Sequence, residues 1–433
     1  MLRVRVLPLV MLAILAAVPA VGQTPYKLPP KEVVAILDAP PPPQAILSPT
    51  RDAILLVEVQ PYPSIETLAE PLLRLAGCRI NPRTGCSQRT VQFIGLKIQP
   101  VSGSPARRIA LPEGASIHMP SWSYDGKKVA FARDLEDGVE LWVADVETGV
   151  AKAIPGARLN DVLTDPIQWL SDNRHILAVL VEEGRGPAPV APRAPIGPNV
   201  QESSGRLSQM ATFQDMLASP FDEDLFEHYA RSQVARIDGE TGQVERIGPA
   251  ALYTSVDASP DEKYLLVSAV RRPFSYRVPF GDFTRKTEVW DAGGKRVATV
   301  ADLPISDDIP RQGVAKGPRR VQWQPLHDAR LLWTEALDGG DPRTKADHRD
   351  KVLSLEAPFT GKPAQVMKVK HRFAGFAWLP EKDQALATEL DRDRRWRTTA
   401  LVDLAKPDES REVLFDLSIN DAYHDPGRPV TVT

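Results

Sequence analysis

Apolar runs of strand length, cut by short polar turns, recur along most of this chain. One unit is complete between residues 120 and 154. Ser121-Trp122-Ser123 ends a strand, and Asp125-Gly126 supplies the pair that a tight hairpin turn requires. Val129-Ala130-Phe131-Ala132 forms the next strand, β-branched and aromatic. Polar residues 134–138 turn the chain into Leu141–Val146, Glu147-Thr148-Gly149 turns it again, and Ala151–Ile154 makes an outer fourth strand. Four antiparallel strands in about 40 residues are the size of one β-propeller blade.

The same strand–turn–strand opening recurs at Ala45, Ile167, Val256, Val321 and Phe376, so six blade starts are visible. Trp122 and Trp169 stand 47 positions apart, and Trp323 and Trp378 stand 55 apart. Repetition at blade spacing separates a propeller from a sandwich. The predicted fold class is all-β: a propeller of four-stranded blades, an incomplete seven- or eight-bladed ring, with a small helical insertion.

Two stretches break the repeat. After Ile176–Val181 comes a Pro/Gly/Ala-rich segment, followed by two predicted short helices at Thr212–Leu217 and Asp222–Ala230. The insertion is assigned to residues 184–230. The second break runs from Val270 to Asp291, where a hairpin needs only a few residues. It interleaves Phe274, Tyr276, Phe280 and Phe283 with Arg271, Arg272, Arg277, Arg285 and Lys286. Such a loop is either an interaction surface or a segment whose aromatics pin it to the blades.

Charge and compartment narrow the function. Among 433 residues, 53 Lys and Arg oppose 56 Asp and Glu, for a formal net charge of −3. No basic field for nucleic acid follows. Residues 1–5 are basic, 6–20 are apolar, and Ala20-Val21-Gly22 places small residues at a cleavage site. The expectation is a signal peptide over 1–22, a Pro-rich segment over 23–44 and the propeller over 45–433. The product is then periplasmic or secreted, with no membrane span after cleavage. In an oxidising compartment Cys78 and Cys86 predict a disulfide, with free thiols as the alternative. The seven histidines show no ligand spacing, and Asp391 and Asp393 sit in a hairpin without the glycine or glutamate of a calcium loop. Neither metal nor cofactor is expected.

The insertions carry a resemblance. "GPNVQE" at Gly197, "TFQDML" at Thr212, "DEDLFEHYARSQ" at Asp222, "RPFSYRVPFGDF" at Arg272 and "EVWD" at Glu288 resemble the N-terminal propeller of the prolyl oligopeptidase family, in its glutamyl-endopeptidase-like branch. "PPKEVVAILDAPPPP" and the terminal "DAYHDPGRPV" fit as well. The resemblance implies a catalytic α/β-hydrolase domain with a G-x-S-x-G nucleophile turn. That motif does not occur in these 433 residues; Gly114-Ala115-Ser116-Ile117-His118 lacks the second glycine. The hydrolase domain is therefore expected in the same or a neighbouring gene product. This chain is read as the non-catalytic portion that gates and binds peptide substrates, inactive alone. The competing reading is a free-standing periplasmic propeller that binds a protein or peptide. Arg272, Tyr276, Arg277 and Arg285 are the predicted substrate-binding residues, suited to acidic peptides because guanidinium pairs with carboxylate.

Overall fold

The computed structural model describes residues 27–194, 212–310, 312–407 and 410–427. The predicted signal peptide and the Gly197 motif lie outside them. The described residues 27–41, which contain the helix Lys31–Leu37, belong to a unit separate from the rest of the chain.

From Pro42 onward the described residues form six antiparallel blades in chain order. Blade 1 contains Gln44–Leu47, Ala53–Val59, Phe93–Pro100 and the short Arg107–Arg108; blade 2 contains Ile117–Trp122, Lys128–Leu135, Gly138–Asp145 and Ala151–Arg158. Blade 3 uses Ile167–Trp169, His175–Val181, Ser232–Asp238 and the first half of Val244–Ala258. The second half of that long strand opens blade 4, followed by Tyr264–Val270, Arg285–Asp291 and Arg296–Leu303. Blade 5 contains Arg319–Trp323, Arg330–Ala336, Asp350–Glu356 and Ala364–Val369, and blade 6 contains Arg372–Trp378, Gln384–Asp391, Trp396–Asp403 and Glu412–Ser418.

Each blade is apolar on both faces, so neighbours must stack. Leu55, Leu96 and Phe131 join blades 1 and 2; Leu141, Trp169 and Ile176 join 2 and 3. Further shared cores join 3 to 4, 4 to 5 and 5 to 6. Burying one such side chain contributes roughly 1.5–3 kcal/mol, which no single blade obtains alone.

The repeated tryptophan has a structural cause. Trp122 Nε1 donates to Ile46 O at 3.2 Å, Trp169 to Ser121 O at 3.1 Å and Trp323 to Asp257 O at 3.1 Å. Each indole fills the space between two first strands and bonds the preceding blade. The repeated turn is equally local. Arg51, Gly126, Asn173 and Glu262 all adopt left-handed φ of 56 to 69°. Each donates its N–H to the carbonyl three residues earlier. Ser123 and Ser259 donate to Asp125 and Asp261, whose carboxylates in turn accept the N–H of Lys127 and Lys263.

Two expectations are corrected. Thr212–Leu217 is not helical, because Asp215 takes φ 61° and breaks the turn. The second predicted helix forms as Pro220–Ala230, capped by Ser219. The Cys78–Cys86 disulfide is absent; both thiols are free and buried. The hairpin register explains this. Asn81 faces Cys86, and Cys78 lies three residues further along its strand. That offset is roughly 10 Å, beyond the reach of about 7 Å between bridged Cα atoms. Cys78 instead points at Val162 O and Cys86 at Leu159 O.

Candidate functional site

In a four-stranded meander, the connection between second and third strands lies at the end where the blade begins and finishes. Four long insertions use that connection: residues 60–92 in blade 1, 182–231 in blade 3, 271–284 in blade 4 and 337–349 in blade 5, and the long link 304–318 from blade 4 to blade 5 runs at the same end. The chain also enters blade 1 and leaves blade 6 at this end. The opposite end carries mainly short turns.

The insertions of blades 1, 3 and 4 merge into a core of their own, containing Ile80, Leu217, Phe226, Phe274 and Phe283. Phe226 is fully buried. Its ring meets Phe274 at 5.3 Å and Phe283 at 5.9 Å, both edge to face, and those two stack at 5.3 Å. Backbone bonds fasten the three together: Phe280 N to Ala76 O and Gly77 N to Asp215 O, each 2.8 Å. Gly77 has φ 85°, and a Cβ there would stand 2.8 Å from that of Pro279. Only glycine fits without moving the loop.

Polar anchors complete the assembly. Arg272 donates to Glu227 at 2.7 Å, to Asp224 at 2.8 Å and to Glu223, all on the helix Pro220–Ala230, and its guanidinium lies 5.0 Å over Phe274. At the other side Ser87 N donates to Asp161 Oδ1 at 2.8 Å, and Arg89 pairs with the same carboxylate. The Asp161 side chain is completely buried. Burial pushes its carboxyl up, but the His118 ring 3.5 Å away and the Arg89 guanidinium outweigh this and hold it at about 2. Both thiols belong to the blade 1 insertion, where burial pushes Cys78 up to about 12 and also raises Cys86 well above its ordinary value; neither is reactive.

The four predicted binding residues separate. Arg272 is held by three carboxylates. Tyr276 is 43% exposed, its phenol pushed up to about 12 by burial and by Glu223. Arg277 pairs with Asp307 at 3.8 Å. Arg285 lies elsewhere, in the wall of a cavity of about 500 Å³ between blades 4 and 5. Phe274 and Phe283 pin the loop, while Tyr276 remains outside.

Two further arginines, Arg319 and Arg320, line the same cavity. Sequence reasoning missed them, although consecutive arginines opening an inner strand, in "GPRRVQW", are a departure from the other blade starts. Arg319 Nη2 bonds Asp350 at 2.7 Å, in a buried group with Arg372, Asp338 and Arg349. A second cavity, of about 380 Å³, lies under the blade 1 insertion. Two of its arginines are paired, Arg83 with Glu70 and Arg89 with Asp161, while Arg133 reaches Glu140 only at 3.8 Å. Among the described residues no group of three or more His, Cys, Asp or Glu side chains is placed to hold a metal.

A stacked array of four-stranded blades with one elaborated end is a β-propeller, a class that supports many functions. No family model matches the chain. It is 37% identical over 424 residues to a probable chloroplastic glutamyl endopeptidase of Oryza sativa subsp. japonica, covering 94% of this chain and 45% of that protein. A probable chloroplastic glutamyl endopeptidase of Arabidopsis thaliana is 37% identical over 428 residues, covering 94% and 44%. The chain thus spans about half the length of the curated relatives it matches. Among solved structures, Pyrococcus horikoshii acylaminoacyl peptidase aligns over 88% of this chain and 47% of its own, with 15% identity and TM-score 0.45. The propeller domain of the Trilobed protease from Pyrococcus furiosus aligns over 89% and 97%, with 13% identity and TM-score 0.40. The chain is thus similar to part of proteins named glutamyl endopeptidase, in keeping with the resemblance of its insertions to the glutamyl-endopeptidase-like branch of the prolyl oligopeptidase family.

Proposed function

We propose that this chain is the non-catalytic propeller portion of an exported serine peptidase, and that it admits and binds peptide substrates on its insertion face. One observation carries the reading: the insertions of three blades, far apart in sequence, share one core at the end where the chain enters and leaves the propeller and so build a single cap. A domain joined at either end of the propeller would be tethered at that face. An α/β-hydrolase domain, in the same or a neighbouring gene product, is the partner this arrangement suits. The cap would then border the space between the two, and a peptide would have to pass it. The relatives' name, glutamyl endopeptidase, supports a peptide as the substrate class. Export by residues 1–22 to the periplasm or medium belongs to the same reading and is checked by fusing them to a compartment reporter.

The test is fluorescence titration of the purified chain with labelled peptides, alongside a cleavage assay with and without a serine-directed phosphonate. Saturable binding without cleavage is expected. Cleavage that the phosphonate blocks, or no binding of any peptide, would overturn the proposal.

A further inference from the structure

We infer that the cavity between blades 4 and 5 is a binding site for a peptide carboxylate, with Arg320 and Arg285 as its cations. The inference rests on the peptide-binding reading above and gives it a location and a chemistry.

The backbone delivers Arg320 to the cavity. In blade 5 the register passes from Arg319 opposite Thr334 to Gln322 opposite Leu332, so one extra residue bulges from the first strand. Arg320 occupies the bulge with φ 54°. Bulges re-aim side chains out of the ladder. The same irregularity falls between His118 and Ser121 in blade 2, where Met119 has φ 51°. The bulge is therefore a general feature of these first strands. What is particular to blade 5 is the guanidinium placed on it.

The charges around it do not cancel. Arg320 makes no ion pair with any described residue, and it is exposed. Arg285, from the third strand of blade 4, lines the same cavity; its Nη2 bonds Gly281 O, and its buried Nε has no partner among the described residues. The buried Nε of Arg319 is likewise without one. The one carboxylate in the lining, Asp282, attracts Arg285 but leaves the guanidinium of Arg320 unmatched. Burial also lowers Arg285, a mark of a charge held without enough solvation. Buried guanidinium donors left unmade are costly, and a carboxylate accepts two of them at once.

Size and lining fit a peptide. At about 500 Å³ the cavity holds an acidic residue with part of its neighbours. Thr254, Ser255 and Ser306 offer hydroxyls along one side, and Phe280 and Phe283 offer apolar walls. The carboxylate has two sources, an acidic side chain or the peptide's C-terminus.

The experiment is calorimetric titration of the full chain with three pentapeptides: Ala-Ala-Glu-Ala-Ala amide, its Glu→Gln counterpart, and penta-alanine as the free acid. The wild type, Arg320→Gln, Arg285→Gln and Arg271→Gln are compared, each with its melting temperature. Arg271 is paired with Asp302 outside the cavity and serves as control. The expected result is tighter binding of at least one carboxylate peptide than of the Gln amide, weakened about tenfold by Arg320→Gln. Arg271→Gln should bind like the wild type. The Glu amide and the free-acid peptide distinguish side chain from C-terminus. Equal binding of all three peptides, or carboxylate binding that Arg320→Gln leaves unchanged, would overturn this inference while leaving peptide binding standing. No binding of any peptide would remove both. Displacement by inorganic phosphate at lower concentration than by glutamate would contradict the carboxylate class.

Discussion

The two ends of the strands in this molecule follow different rules. At the hairpin end, Arg51, Gly126, Asn173 and Glu262 repeat one turn conformation at the same place in four blades. At the insertion end, the connections of blades 1, 3, 4 and 5 share neither length nor sequence. Between the ends lie blade cores built from equivalent positions. Above the insertion end lies a core built from residues that have no equivalents, such as Phe226, Phe274 and Ile80. The difference teaches that the repeat supports the scaffold and the exceptions supply the surface. It also implies two separable stabilities, one for the blades and one for the cap.

That separation is most severely tried by Phe226→Ala. Removing a fully buried ring from the centre of three insertions should cost about 3–5 kcal/mol, felt in the cap. Hydrogen exchange is expected to rise in 60–92, 220–231 and 271–284 while the blade strands stay protected. Uniform loss of protection would mean that cap and blades are one cooperative unit.

Asp161→Asn comes next. It leaves Arg89 without its partner under the blade 1 insertion, at a cost of about 3 kcal/mol. The same carboxylate sets a pH dependence. Its folded value of about 2 lies below the ordinary 3.8, so the stability it contributes is present above pH 3.8 and disappears as pH falls towards 2. The loss should amount to about 2 kcal/mol in acid titration of the wild type, and should be missing in Asp161→Asn.

A smaller effect is expected from Gly77→Ala, about 1–2 kcal/mol, because the left-handed backbone and the Pro279 contact both resist a Cβ. Its signature is increased proteolysis near residue 77 with an unchanged blade transition. The smallest belongs to the scaffold. Trp122→Phe removes the bond to Ile46 O and should cost about 1 kcal/mol in global unfolding. Combined with Phe226→Ala it should add, since the two residues share no core.

The contrast also explains what could be read beforehand. All six blade starts were legible, because Trp122, Trp169 and Trp323 recur for one physical reason, an indole wedged between first strands. The turn at Asp125-Gly126 was legible because its chemistry is local. The cap was legible only as a set of interruptions. Its aromatic loop could be located, yet nothing in the order of residues says that Phe274 meets Phe226, 48 positions earlier. Arg272 looked like a free cation because its three carboxylates lie on a distant helix. Arg320 escaped notice because its exposure depends on a bulge that composition does not announce. The disulfide failed for a similar reason: eight positions of spacing place two thiols near one another in sequence, while the hairpin register parts them.

The most direct test of the insertion face as the place of peptide capture is photo-cross-linking of the full chain with a peptide carrying a diazirine beside its glutamate. The sites are mapped by mass spectrometry. Cross-links in residues 271–285 and 304–320 and in the insertions at 60–92 and 212–231, competed by unlabelled peptide, are the expected result. Cross-links concentrated in the hairpin turns at 48–52, 123–127, 170–174 and 259–263 would contradict it.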